Sequence, residues 1–194
     1  MRVIAGSAGG IRLTVPETDV RPTMDRVKAA IFSSLGERVI GARVLDLFAG
    51  TGALGIEALS RGAGSALFVE ENRAAVMAIE QNFIRTKLRG AVKIQEVFAF
   101  LGSTRSTKAF DIIFADPPYE KTKNGGEFTS LLLNNDDLAQ LLIAGGIFVL
   151  EKRPDEQVLS SGLWSVARQK RYGATEVLFL QHPPSQGDSA PEDA

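Results

Sequence analysis

The feature that most constrains the fold of this chain is a regular alternation of short apolar runs and helical patterns, which begins at residue 43. We predict strands at residues 43–48 and 65–69, and helices at residues 53–60 and 73–86. Strands that alternate with helices of this length form βαβ units, in which consecutive strands lie parallel and helices cover the sheet. The sequence therefore predicts an α/β protein with a mostly parallel sheet.

The alternation continues towards the C-terminal end of the chain. A helical region is predicted at residues 131–143, and three more strands near residues 92–95, 110–115 and 146–151. The last two strand-like runs, residues 164–171 and 175–180, are joined by Tyr172-Gly173-Ala174. A connection this short favours an antiparallel hairpin added to the parallel sheet.

A small extension precedes the alternation. Residues 3–5 and 11–15 flank a stretch of small residues at 6–10, a pattern that favours a β-hairpin or a loop packed against another part of the protein. Apolar side chains that recur at intervals of four predict a helix at residues 24–35. We therefore divide the chain into an extension and linker (1–22), a main domain (23–182) and an acidic tail (183–194) whose composition favours disorder.

Composition excludes several kinds of site. The 194 residues include no cysteine and one histidine, so we expect no disulfide, no thiolate nucleophile and no metal. The chain shows no signal-peptide pattern and no run of about eighteen apolar residues, so we expect a cytoplasmic protein without a membrane span. The net charge of -1 argues against a uniformly basic nucleic-acid binder. We also expect the protein to be a monomer.

A predicted strand leads directly into a glycine turn. Gly50, Gly52 and Gly55 form the pattern GxGxxG, which alone fits a dinucleotide, S-adenosylmethionine or simple packing. Glu70 ends the next strand, where a carboxylate can accept ribose hydroxyls, and Asp46 can face an ammonium group, which favours S-adenosylmethionine. The predicted cofactor contacts of this region are Asp46, Phe48, Ala49, Gly50, Thr51, Gly52 and Glu70.

A second motif indicates the chemistry. Asp116-Pro117-Pro118-Tyr119 follows a predicted strand, at the carboxyl end where ligands bind to an open parallel sheet. The two prolines lack backbone donors, so the Asp116 side chain and the Pro117 carbonyl remain as acceptors in fixed directions. They can accept both N–H bonds of an exocyclic base amine, with Tyr119 stacked on the base. We therefore predict methyl transfer to a base amine, the alternative being a proline-rich loop without function.

The two motifs, in this order, resemble class I S-adenosylmethionine-dependent methyltransferases that act on amino groups. Their [D/N]PP[Y/F] signature matches residues 116–119, and their first motif matches residues 46–52. More narrowly, the chain resembles the RsmD family of bacterial small-subunit rRNA guanine-N2 methyltransferases. The similarity rests on residues 2–6, 9–10 and 21–28, on LDLFAGTGALGIEALSRGA and on FVE and ADPPY.

The resemblance implies a Rossmann-like class I methyltransferase fold, with a seven-stranded sheet and an N-terminal β-hairpin extension that helps to hold RNA. It also implies methylation of the exocyclic N2 amine of a guanine in 16S rRNA, within a small-subunit particle, with S-adenosylmethionine as cofactor. A helix start at Thr23 would approach the donor's carboxylate. The resemblance assigns the contact with the cofactor's adenine to Glu96 and Val97, at positions where the family has an aspartate and a small residue.

Basic residues near the N-terminal end are candidates for contacts with RNA phosphates. The predicted contacts are Arg2, Arg12, Arg21, Arg26 and Lys28. A second candidate set, on the C-terminal hairpin, consists of Arg168, Lys170 and Arg171. The stretch 121–126, directly after the catalytic motif, is a candidate loop over the target base.

Other functions share parts of this pattern. DNA adenine or cytosine methyltransferases and protein-glutamine methyltransferases use the same catalytic motif, but the chain has no insertion large enough for a separate DNA-reading domain. A dehydrogenase would explain the glycine turn and leave residues 116–119 unexplained. A non-catalytic ribosome-assembly factor would bind RNA without a need for Asp116 and Tyr119.

Overall fold

A seven-stranded sheet forms the centre of the protein. The computed structural model describes residues 1–15, 25–104, 108–118, 127–156 and 162–184. The strands are β1 (Arg43–Leu47), β2 (Ser65–Glu70), β3 (Ala91–Ile94), β4 (Phe110–Ala115), β5 (Leu142–Lys152), β6 (Ser165–Tyr172) and β7 (Thr175–Gln181). The helices are α1 (Asp25–Leu35), α2 (Ala53–Ser60), α3 (Arg73–Thr86), α4 (Val97–Ser103), α5 (Glu127–Leu133) and α6 (Asp136–Leu141).

The strands lie in the order β3-β2-β1-β4-β5-β7-β6. The first five are parallel, while β7 is antiparallel to both β5 and β6. This confirms the predicted Rossmann-like fold, a mostly parallel sheet with an antiparallel C-terminal hairpin. Leu47 on β1 pairs with Ala115 on β4. The order in which the chain adds strands reverses between these two, since β2 and β3 lie on one side of β1 and β4 and β5 lie on the other. In open α/β sheets, ligands bind outside the carboxyl ends of the strands at such a switch point.

Two apolar layers cover the sheet. One face packs against residues 1–15 and helices α1 and α2, with buried side chains such as Val3, Phe32 and Ile56. The other face packs against α4, α5 and α6, through side chains such as Leu101 and Leu138. Within the described ranges, no helix is both long and apolar enough to cross a membrane.

Helices α2 and α3 have the predicted bounds, but the helical region predicted at 131–143 is wrong in part. Helix α5 ends at Leu133, and Asn135 caps a separate helix by accepting from the backbone N–H of Leu138 at 2.7 Å. Strand β5 then begins at Leu142, earlier than predicted. Helix α4 was not predicted, because its seven residues are too few to show a helical period.

Residues 1–15 of the N-terminal extension form little β-structure and are closer to the packed loop, the second of the two predicted forms. A single antiparallel bridge joins Arg2 and Arg12. The Val3 N–H donates to the Ile11 carbonyl at 2.9 Å, and the Gly10 N–H donates to the Val3 carbonyl at 2.9 Å. These bonds close a hairpin-like loop, and several other backbone groups of the loop bond to the main domain.

The buried carboxylate of Glu57, on α2, holds the start of this extension. Its oxygens accept from the backbone N–H groups of Ile4 at 2.7 Å and Ala5 at 3.1 Å. The Arg61 guanidinium lies 2.7 Å from Oε1, and the Lys28 ammonium lies 3.3 Å from Oε2. One side chain with no solvent exposure therefore joins the extension, α1 and α2.

A second anchor is Ser60 at the end of α2. Its hydroxyl accepts from the Ala8 N–H at 2.9 Å and donates to the Ala5 carbonyl at 2.6 Å, while its own carbonyl accepts from the Ser7 N–H at 2.8 Å. Gly6 lies against the same carbonyl with φ +85, and a Cβ there would lie 1.9 Å from the oxygen. Only glycine permits this close approach.

Asn82, buried on α3, connects the extension to the glycine turn. Its Oδ1 accepts from the Thr14 N–H at 2.6 Å, and its Nδ2 donates to the carbonyls of Thr14 at 3.1 Å and Thr51 at 3.0 Å. The Thr51 hydroxyl also lies 3.4 Å from the Met1 sulfur. The extension therefore braces the turn that the sequence assigns to the cofactor.

Replacing Glu57 with Gln should destabilise the protein by roughly 3 kcal/mol, because the buried Lys28 ammonium loses its opposite charge. An amide also has one acceptor oxygen instead of two for the donors around it. Urea unfolding followed by circular dichroism measures the change. The control is E80Q, at an exposed position on α3, with an expected change below about 0.5 kcal/mol. Equal stability of the two variants would contradict the anchoring role.

Candidate functional site

The glycine turn after β1 has a backbone that most side chains disfavour. Phe48, Gly50 and Gly52 have φ values of 54, 54 and 74, and Gly52 directly precedes α2. Inside the helix, a Cβ on Gly55 would lie 2.3 Å from the Phe68 ring. Glycine at that position therefore lets α2 approach the sheet, while the turn points backbone groups into the crevice at the carboxyl ends of β1 and β4.

Asp46 lies beneath this turn and is 2% exposed. Its Oδ2 accepts from the Gly55 N–H at 2.8 Å. Burial raises the pKa of this carboxyl to about 8, the Gly55 hydrogen bond opposes the rise, and the nearby charges of Asp116 and Glu70 add to it. A positive charge in the crevice would favour the ionised form.

Glu70, at the end of β2, is held in a fixed orientation by backbone donors. Its Oε2 accepts from the Gly50 N–H and its Oε1 from the Asn72 N–H, both at 2.8 Å. Each carboxylate oxygen can accept further hydrogen bonds, so the group remains suited to ribose hydroxyls. Asn72 in turn caps α3 through the N–H groups of Ala74 and Ala75, an anchor that the sequence analysis did not single out.

The Asp-Pro-Pro segment follows β4 directly, beside the glycine turn. Ala115 is in register with Leu47, so Asp116 starts its loop next to Phe48. Asp116 is half-buried, Pro117 is buried and Pro118 is exposed. Tyr119 and the stretch 121–126 lie outside the described residues, as do Thr23, Arg21 and the tail from residue 185. Their predicted roles stay predictions.

Three half-buried aromatic rings lie together near the turn. The Phe48 ring centroid is 6.3 Å from that of Phe98 and 5.7 Å from that of Phe128. The Phe98 and Phe128 rings stack at 6.0 Å and 10°. Of the three, only Phe48 was predicted from the sequence, because the glycine motif marks it. The other two come from helices α4 and α5, and only packing brings them to it.

Glu96 and Val97 lie at the start of α4, after β3. The Glu96 oxygens accept from the N–H groups of Phe98 at 2.9 Å and Ala99 at 2.7 Å, which caps the helix. Val97 is 4% exposed. Both Glu96 oxygens already accept bonds from the protein, so the adenine contact that the resemblance implies stays a prediction.

The predicted RNA contacts divide into exposed and buried residues. Arg2, Arg12 and Arg26 are exposed, and Arg2 forms an exposed ion pair with Asp25 at 3.6 Å. The prediction for Lys28 is wrong, because its side chain has no exposure. Besides facing Glu57, its ammonium donates to the Arg2 carbonyl at 2.5 Å, so it cannot reach a phosphate.

Glu151 adds an acid that the sequence analysis missed. It is 4% exposed and follows Leu150 on β5, which is in register with Ala115 on β4, so Glu151 and Asp116 start side by side. Its position at the end of an apolar strand-like run in the sequence could have identified it as a candidate site residue. The carboxyl edge of β1, β2, β4 and β5 therefore carries several carboxylates, which suits a cationic ligand and amine donors.

Among the described residues, no group of His, Cys, Asp or Glu side chains could hold a metal ion.

Residues 1–181 match a family model described as Conserved hypothetical protein 95. The chain is 37% identical to the Bacillus subtilis protein YlbH, an rRNA methyltransferase by name, over 93% of this chain and 98% of that protein. It is 33% identical to ribosomal RNA small subunit methyltransferase D of Escherichia coli, over 97% of this chain and 93% of that protein. These alignments include both motifs.

Solved structures show the same architecture. Hypothetical protein TTHA0928 of Thermus thermophilus superposes with a TM-score of 0.76 at 32% identity, covering 93% of this chain and 99% of that one. A T. thermophilus 16S rRNA N2 methyltransferase in complex with AdoMet and guanosine superposes with a TM-score of 0.62 at 22% identity, covering 85% and 45%, which shows a shared fold. Because the family model and the curated relatives both span nearly the whole chain, the protein belongs to the family of the ribosomal RNA small subunit methyltransferase D proteins.

Proposed function

We propose that this protein transfers a methyl group to the exocyclic N2 amine of a guanine in small-subunit rRNA. The observation that carries the proposal is the position of Asp116 and Pro117 at the carboxyl end of β4, directly beside the glycine turn after β1. An amine held by the first segment therefore lies next to a donor held by the second. Family membership makes methyl transfer the expected reaction.

The methyl donor is S-adenosylmethionine, which supplies an electrophilic methyl group on a cationic sulfur. The residues of the crevice suit its chemistry, since Asp46 offers a buried carboxylate to the ammonium group and Glu70 offers oriented oxygens to the ribose. Gly50 and Gly52 both have a positive φ, which lets the turn place its backbone close to the donor. In this proposal Phe48, Ala49 and Thr51 complete the donor site, with Thr23, Glu96 and Val97 at its ends.

Asp116 and the Pro117 carbonyl hold the acceptor amine. Both are hydrogen-bond acceptors, and accepting the two N–H bonds favours a more pyramidal nitrogen with an available lone pair. The rigid proline pair keeps these acceptors in place, so catalysis rests on position and electrostatics. In this proposal Tyr119 stacks on the base and offsets the cost of unstacking it.

The choice of rRNA and guanine depends on the relatives and not on the geometry. The E. coli relative is named for small-subunit rRNA, and the solved structure of a more distant protein of the same fold is a complex with AdoMet and guanosine. The net charge of -1 gives little long-range attraction for RNA, so we propose that the substrate is an assembled or partly assembled small-subunit particle.

Labelled methyl transfer from S-adenosylmethionine tests this function. Small-subunit particles that lack the modification should accept label, and digestion of their RNA should yield N2-methylguanosine. Naked rRNA, DNA and bulk protein serve as alternative acceptors in parallel reactions. Label found only in methyladenosine, in DNA or in glutamine side chains would retain the reaction and reject the proposed substrate.

The variant D116A should lose methyl transfer by about a hundredfold or more, because one of the two fixed acceptors of the amine disappears. Its affinity for S-adenosylhomocysteine, measured by calorimetry, should stay close to that of the wild type. D137N, at an exposed position in the first turn of α6, is the control and should keep full activity. Normal turnover by D116A would reject the catalytic role.

Donor binding should depend on pH through Asp46. Its carboxyl, with a pKa raised to about 8, is largely protonated at neutral pH in the absence of a ligand. A cationic donor binds the ionised form better, so binding lowers the pKa and releases a proton, and affinity should rise between about pH 6 and pH 7.5. Calorimetry in buffers of different ionisation enthalpy measures the protons released. D46N should show a flatter pH dependence, and the same rise in both proteins would contradict the assignment.

A further inference from the structure

The outermost strand, β6, carries three basic side chains, Arg168, Lys170 and Arg171, which we call the hairpin surface. Among the described residues, this strand ends the sheet order and pairs with β7 alone. Arg168 and Arg171 are exposed, and Lys170 is half-buried. The donor site and the amine site described above use none of these residues.

The acid opposite Arg171 is bonded mainly to other residues. Glu176, opposite Arg171 in register, is already engaged, since its Oε2 lies 2.8 Å from the Lys152 ammonium and its Oε1 accepts from the Gln169 amide at 2.7 Å. Lys152 itself is 3% exposed. Glu176 therefore forms a largely internal pair with Lys152, and the charge of Arg171 makes a smaller contribution to lowering its pKa.

The other two cations, Arg168 and Lys170, lie on the face of the sheet that α1 covers. Arg168 and Lys170 are in register with Phe179 and Val177, whose side chains belong to the apolar layer that includes α1. The Lys170 ammonium donates to the neutral hydroxyl of Ser34 on α1 at 3.1 Å. Over the described part of the chain, no salt bridge includes a residue of the hairpin surface. Its charges can therefore meet an external anion.

The hairpin surface lies at the same edge of the sheet as the candidate site. Strand β5 ends at this edge, and because β7 is antiparallel to β5, the turn between β6 and β7 lies there too. Three strand spacings separate β4 from β6, which is about 14 Å at roughly 4.8 Å per strand. A polynucleotide with one base at Asp116 would therefore pass close to the end of β6.

A simpler explanation for charges on β6 is protection of an edge strand. Lysines and arginines on an edge discourage pairing with strands of other chains. That explanation predicts self-association when the charges are removed, without an effect on RNA. The two explanations therefore differ in a measurable way.

We propose that the hairpin surface binds phosphate groups of the RNA strand that enters the candidate site. Phosphate contacts fix the position of a nucleic acid on a protein without reading its sequence. The hairpin surface then positions the target nucleotide over the acceptors on β4. This inference rests on the proposed function, because it takes RNA as the substrate.

The test compares two triple variants with equal loss of charge. R168Q/K170Q/R171Q removes the hairpin surface, and R85Q/R89Q/K93Q removes three exposed cations near the opposite edge strand, β3. Fluorescence anisotropy of the labelled protein with small-subunit particles that lack the modification measures affinity at several salt concentrations. Binding of S-adenosylhomocysteine and size-exclusion chromatography check that each variant is folded and monodisperse.

The hairpin variant should bind the particles more weakly. The slope of log affinity against log salt should fall by about 2, because each phosphate that a cation neutralises adds roughly 0.7 to it. In methyl transfer its KM should rise while kcat stays near the wild-type value, and the control variant should match the wild type. A hairpin variant whose affinity has the wild-type dependence on salt would overturn the inference. If that variant also self-associates in size-exclusion chromatography, edge protection explains the charges. A wild-type protein that transfers no methyl group to rRNA would instead reject the proposed function.

Discussion

The parallel pairing of β1 with β4 is the constraint on which the candidate site depends. The two strands are neighbours in the sheet but are not consecutive in the sequence. Their carboxyl ends lie side by side, where Leu47 pairs with Ala115. A glycine turn leaves one strand and a rigid Asp-Pro-Pro segment leaves the other. Two groups of residues about seventy positions apart are therefore brought into contact by hydrogen bonds between backbones, before any side chain contributes.

Buried polar side chains extend this arrangement to the N-terminal end. Glu57 and Ser60 hold the extension against α2, and Asn82 ties it to the backbone of Thr51 in the glycine turn. A single unsatisfied donor in these networks would cost free energy, so the extension has one well-defined position. Its position links a segment that the family resemblance predicts to hold RNA to the turn that binds the donor in our proposal.

Charge is separated across the carboxyl edge of the sheet. Carboxylates of Asp46, Glu70 and Asp116 collect around β1, β2 and β4, and burial is the largest cause of the raised pKa of Asp46. Exposed cations lie at the other end of the same edge, on β6. A near-neutral protein can therefore hold both a cationic donor and an anionic polymer, because each meets a local charge and not the net charge.

Much of this protein was determined by its sequence alone. The bounds of α2 and α3, the βα alternation and the two motifs were predictable because they depend on local periodicity, glycine and proline. The tertiary structure alone decided which ionisable groups are available for binding. Lys28 resembled a surface cation in the sequence yet is fully buried against Glu57, and Glu96 caps α4, whereas Arg168 is exposed. Burial and partners depend on contacts between distant segments, and local sequence patterns contain no information about those contacts.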